Sequence, residues 1–117
     1  MTLTIVLPIR TVSEANMREH WAKKSRRAKD QRGTARMILG QWRYAHLKKH
    51  AGRFEITITR IGAKPLDKDN LANSSKHVQD GIADALGIDD GSPRITWHYA
   101  QEKGKPKEYA VRIEINT

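Results

Sequence analysis

FEITITRIGAKPLDKDNLANSSKHVQDGIADALGIDDGSPRITWHYA, residues 54–100, decides how this chain folds. Phe54, Ile56 and Ile58 alternate with Glu55, Thr57 and Thr59, the two-residue period of a strand with one buried face. Gly62 to Pro65 reads as a loop. From about Asp69 to Leu86 the apolar residues return at helical spacing, and Gly87 is a natural stop. Leu71, Val78, Ile82, Ala85 and Leu86 gather on one face of that helix. Asp89-Asp90-Gly91-Ser92-Pro93 is rich in turn formers. Ile95, Trp97 and Tyr99 then alternate with Thr96, His98 and Ala100 in another strand.

Working outward, Thr2 to Leu7 alternates as a strand that Pro8 closes. Ser13 suits a helix cap and Glu14 its first turn. A helical stripe follows through Met17, Trp21, Ala28, Ala35, Leu39 and Trp42. Gly33, among few apolar residues from Asp30 to Thr34, predicts a kink or break. Gly52 ends the region. Gly104-Lys105-Pro106-Lys107 predicts a hairpin turn, and Tyr109, Val111, Ile113 and Ile115 a final strand. The order β-α-β-α-β-β predicts an α+β fold, a four-stranded sheet with a long N-terminal helical segment and a second helix packed on it. At 117 residues, one domain spanning 1–117 is expected.

Composition narrows the function classes. There is no Cys, which excludes disulfides, thiolate metal sites and cysteine nucleophiles. No apolar run approaches the roughly 20 residues of a membrane span. Leu3 to Ile9 is too short and lacks the basic leader of a signal peptide, so a cytoplasmic location without membrane partners is expected. The net charge of +9 points to a polyanionic partner. That surplus lies in one segment. Arg18 to Lys49 holds 11 bases against Glu19 and Asp30, and the remaining chain carries 11 bases and 11 acids. Asp67 to Asp90 is the counterpart, with six Asp facing only Lys68 and Lys76.

On a regular helix Asp69, Asn73, Lys76, Asp80 and Asp84 fall within about 80° of one another, opposite the apolar face. Asp67 lies just upstream, and Asp89 and Asp90 just beyond the other end. Hard carboxylate oxygens in that number suit Mg²⁺ or Mn²⁺, and such an ion can activate water at a phosphodiester. A nearby lysine can stabilise the oxyanion. Plain structural roles account for the same residues: Asp as helix cap, Asp-Asp-Gly as turn, Lys76 with Asp80 as an i,i+4 pair. Other sites fail on spacing. An EF-hand loop opening at Asp67 has Ala72 where Gly is required and Val78 where Glu is required. There is no Gly-rich phosphate loop and no His-Glu-x-x-His, and His46 with His50 has no third ligand signalled.

Asp67-Lys-Asp-Asn70-Leu71, then Lys76, then Asp80-Gly-Ile-Ala-Asp84-Ala-Leu-Gly-Ile-Asp89-Asp90 resembles the RusA family of phage and prophage Holliday-junction resolvases, the crossover-junction endodeoxyribonucleases. The specific part is Asp67 to Asp90, with a weaker likeness in the N-terminal strand and the basic segment from Asn16 to Arg36. The resemblance implies an α+β homodimer that binds four-way DNA junctions and nicks strands symmetrically with Mg²⁺, in DNA recombination and repair. By position, Asp67, Asp69 and Asp90 match the family's catalytic, metal-binding aspartates, with Asp89 an alternative to Asp90. Lys76 takes the place of the essential lysine if three residues are inserted after Leu71; otherwise Asn73 stands there. Asn70, Asn73, Asp80, Asp84 and Asp89 are candidates for supporting the ligands.

Lys23, Lys24, Arg26, Arg27, Lys29 and Arg32 are the candidate DNA-binding residues, neutralising phosphates without reading sequence. Trp21 and Trp42 read as core rather than base-stacking platforms, and so does Trp97. The bases alone would equally suit a non-catalytic nucleic-acid-binding protein, or one that binds a ribosome or an acidic protein partner.

Overall fold

Alternating apolar residues form four strands: β1 (Thr2–Leu7), β2 (Phe54–Gly62), β3 (Ile95–Lys103) and β4 (Ala110–Asn116). Three α-helices, α1 (Trp21–Leu39), α2 (Lys68–Ser74) and α3 (Lys76–Leu86), and a 3-10 helix at Trp42–Lys49 complete the chain. The computed structural model describes residues 2–12 and 21–117, without the side chains of residues 42 and 43. The cap assigned to Ser13, the Glu14 first turn, Met17 of the apolar stripe and the Trp42 side chain lie outside what is described.

The fold is α+β, as expected, with helices packed on a four-stranded mixed sheet. The strand order is β1-β4-β2-β3. β4 runs antiparallel to both β1 and β2, while β2 and β3 are parallel. Parallel neighbours need a crossover, and α2 and α3 supply it.

Ile5, Leu7, Ile56, Ile58, Val111, Ile113 and Ile115 share a buried face with Ala35 and Leu39 of α1 and Val78, Ile82, Ala85 and Leu86 of α3. Burying each large apolar side chain contributes roughly 1.5–3 kcal/mol before entropy is charged. Every apolar residue assigned to the second helical face is buried: Leu71, Val78, Ile82, Ala85 and Leu86. Gly87 ends α3 in the left-handed conformation at φ 69°, and the following Ile88 N–H returns to the Ala83 carbonyl.

Four expectations fail. Gly104 to Lys107 does not close a hairpin between β3 and β4. The Gly104 N–H donates instead to the Gly62 carbonyl at 2.9 Å, and the chain passes the end of β2 to reach its other edge. That route gives central positions to Val111, Ile113 and Ile115, all at most 1% exposed. Second, α1 runs unbroken through Gly33, where a Cβ would meet nothing within 4 Å. Third, α1 buries Gln31, Ala35 and Leu39, whereas Trp21 is 73% exposed and is not core.

Fourth, the helix expected from about Asp69 to Leu86 is two helices that meet at Ser75. The Ser74 and Ser75 hydroxyls both donate to the Leu71 carbonyl, at 2.8 and 3.2 Å. The Ser75 N–H bonds to Ala72 instead, at 3.1 Å. Serine hydroxyls compete with the backbone for helical acceptors, and here the competition tightens the last turn of α2.

Candidate active site

Lys76 is the first residue of α3, and two carboxylates converge on its ammonium. Nζ donates to Asp90 Oδ2 at 2.6 Å and lies 3.0 Å from Asp80 Oδ1. Asp80 is one turn along α3, while Asp90 arrives from the loop that follows the helix. That loop is fixed from two sides. The Trp97 indole N–H on β3 donates to the Asp90 main-chain carbonyl at 2.8 Å, and Asp89 Oδ1 accepts from the Gly91 N–H at 3.1 Å. Nearby, the Tyr99 hydroxyl donates to Gln79 Oε1, and burial pushes that phenol's pKa up.

The basic helix α1 closes on a further carboxylate of α3. Arg32 is bidentate on Asp84, with Nε to Oδ2 at 2.6 Å and Nη2 to Oδ1 at 2.9 Å, and its Nη1 is 4.0 Å from Asp80. Lys76 and Arg32 thus bracket the acidic stripe of α3. Gly81 permits this approach: a Cβ there would sit 2.3 Å from the Arg32 carbonyl oxygen and 2.8 Å from the Ala35 Cβ. A glycine inside a helical pattern is a sequence signal of close packing, and it is Gly81 rather than Gly33 that carries it here.

The expected five-residue stripe is divided by Ser75. Asp67 caps α2, accepting from the Asn70 N–H at 2.9 Å and from Asn70 Nδ2 at 3.0 Å. Asp69 and Asn73 are exposed on α2. Lys76, Asp80 and Asp90 come together, while the Asp67 carboxylate is taken by Asn70. Among the described residues, no three Asp, Glu or His side chains come close enough to hold one metal ion. Of the candidate DNA-binding residues, Lys23, Arg26 and Lys29 are exposed on α1, and Lys24 and Arg27 are half-buried. Arg32 is exposed too, but its guanidinium is committed to Asp84. Trp97 and Arg32 carry positioning roles that sequence reasoning missed, because each depends on a partner distant in the chain.

The hydrogen bond from Lys76 holds the Asp90 carboxyl below the usual carboxylate range, and Asp90 in turn raises the Lys76 ammonium. Arg32 lowers the Asp84 carboxyl in the same way. A depressed folded-state carboxyl contributes stability that is present above the unfolded value of about 3.9 and is lost as pH falls through the lower folded value. Lys76→Met removes the cause at Asp90. Its urea midpoint should therefore fall less than that of the wild type between about pH 5 and pH 2. Equal falls would show that Lys76 does not hold that carboxyl down.

No family model matches the chain. An uncharacterized protein of Xylella fastidiosa (strain Temecula1 / ATCC 700964) is 35% identical over 92 residues, covering 76% of this chain and 60% of the relative. The chain thus spans less than two thirds of that relative's length. Among the described residues, no helix is long and apolar enough to cross a membrane.

Proposed function

We propose that the chain is a divalent-metal-dependent endonuclease of the RusA type that cuts four-way DNA junctions. The observation that carries this reading is the convergence of Asp80 and Asp90 on Lys76 Nζ, at 3.0 and 2.6 Å, beside the basic helix α1. Hydrolysis of a phosphodiester needs an activated water and a positive charge against the oxyanion. A bound Mg²⁺ or Mn²⁺ supplies the activation and part of the charge.

The donor set fits such an ion by chemistry. Mg²⁺ usually takes one or two carboxylates and fills its shell with waters and phosphate oxygens, so a three-carboxylate cage is not required. Asp90 and Asp80 would hold it. Of the three ligands implied by the resemblance, Asp90 belongs to this pair, whereas Asp67 and Asp69 lie at the start of α2, across Ser75. The Lys76 ammonium would bind a phosphate oxygen as charge builds on it, once a bound cation takes the Asp80 and Asp90 oxygens that hold it here. Trp97 positions Asp90 through its main chain. Lys23, Arg26 and Lys29 would hold the DNA backbone. Paired nicks on opposed strands would come from a homodimer, whose two-fold axis matches that of the junction.

A second reading is favoured by the ion pairs themselves. Lys76 and Arg32 already partner Asp80, Asp84 and Asp90, as they would in a non-catalytic basic nucleic-acid-binding protein. The experiment that separates the two is cleavage of an end-labelled four-way junction by purified protein. The nuclease reading expects symmetric nicks with Mg²⁺ and none with EDTA. Binding without any metal-dependent strand cleavage would leave the second reading.

A further inference from the structure

Where β2 runs out and β4 begins, Arg10, Arg60, Ala63, Lys64, Leu66 and Tyr109 line a cleft of about 270 Å³. Arg60 is 8% exposed and is the one buried charged residue among those described. Its Nη1 donates to the Lys64 carbonyl at 2.8 Å. The Arg10 guanidinium lies over the Tyr109 ring, 4.2 Å from its centroid. Among the described residues neither arginine pairs with a carboxylate. Burial pushes the Arg60 pKa down, Tyr109 opposes that shift, and the charge of Arg10 adds to it.

Two cations facing one cleft without an acid is a costly arrangement. A buried charge is tolerated when it is paired, and removing its partner is strongly destabilising. A guanidinium has five N–H donors, and Arg60 has committed one of its own to Lys64. Gly62 makes room for the Arg60 guanidinium itself, since a Cβ there would fall 2.9 to 3.0 Å from the guanidinium atoms.

We propose that this cleft is a phosphate-binding site, in which the Arg60 and Arg10 guanidiniums take one tetrahedral oxyanion. The planar guanidinium fork matches phosphate oxygens two at a time, and Lys64 adds charge at the rim. The group belongs to a nucleic-acid backbone or to a free phosphate compound, which share this chemistry. The inference stands apart from the nuclease reading, because it uses none of Asp80, Asp90 or Lys76.

The test is thermal melting of the full chain in sodium phosphate against sodium chloride at matched ionic strength. The wild type should show a saturable rise in Tm with phosphate. Arg60→Met should weaken phosphate binding at least 10-fold while melting in chloride at or above the wild type, since it replaces an unpaired buried charge with an apolar chain. Gly62→Ala retains both arginines, displaces the Arg60 guanidinium, and should weaken phosphate binding several-fold. A wild type that responds alike to phosphate and chloride overturns the site. So does an Arg60→Met or Gly62→Ala protein that keeps the full phosphate response.

Duplex DNA binding as a function of salt identifies the source. If Arg60→Met lowers the salt slope by about 0.9, the group is a backbone phosphate. If the slope is unchanged while the inorganic phosphate response is lost, it is a free phosphate compound.

Discussion

Gly81→Ala lowers the melting temperature by on the order of 10 °C, the product of about 2 kcal/mol and the usual sensitivity of a domain this size. The added Cβ lands 2.3 Å from the Arg32 carbonyl oxygen and 3.1 Å from its carbonyl carbon. Both are main-chain atoms of α1, so no side-chain rotation relieves the clash. α1 has to withdraw from α3, loosening Ala35 and Leu39 from the core and pulling Arg32 off Asp84. Alanine's better helix propensity returns only about 1 kcal/mol.

Gly33→Ala is the matched control. It also lies within a helix, but its Cβ meets nothing within 4 Å, so the propensity gain stands alone and Tm should rise by a few degrees. A Gly81→Ala protein that melts at or above the wild type would mean that α1 does not approach α3 this closely.

Asp90→Asn should reduce Mg²⁺-dependent cleavage of a four-way junction by on the order of 10²- to 10³-fold and leave junction binding within a few-fold. The substitution keeps side-chain size and the main-chain carbonyl that accepts from Trp97. What it removes is one negative charge from the pair that faces Lys76. A hard cation held by carboxylates is weakened by that loss, whereas DNA binding through α1 is not.

Asp84→Asn separates charge at the site from charge on the helix. Asp84 lies on the same stripe, but Arg32 takes both its oxygens. Its loss should cost stability through the α1–α3 clamp and leave the cleavage rate of the folded protein within several-fold. Wild-type cleavage by Asp90→Asn would remove Asp90 from the proposed site, and equal losses in both variants would point to a structural effect.

Strand positions were legible because a two-residue alternation survives wherever one face of a sheet is buried, as in Ile56, Ile58, Ile113 and Ile115. The apolar face of α3 was legible for the same reason at helical spacing. The Ser75 junction was not. Two adjacent serines have a mild effect on propensity, and it is their shared acceptor, the Leu71 carbonyl, that splits the helix. Asp69 and Asn73 therefore lie on α2, while Lys76, Asp80 and Asp84 lie on α3. Trp21 failed as core because a stripe on a wheel says which residues share a side, while the sheet face of α1 is chosen by what packs on it. That choice fell on Gln31, Ala35 and Leu39.

By itself the sequence determined the α+β class, the four strands, the apolar face of α3, and the separation of a basic segment from an acidic one. Each follows from local periodicity or composition, which a chain carries before it folds. The strand order β1-β4-β2-β3, the seat of Asp90 beside Lys76 and under Trp97, and the meeting of Arg10 with Arg60 in one cleft arise from the assembled fold. These join residues far apart in sequence, and a long-range contact is selected by packing and charge pairing in the whole fold, for which no short window of residues has a signature.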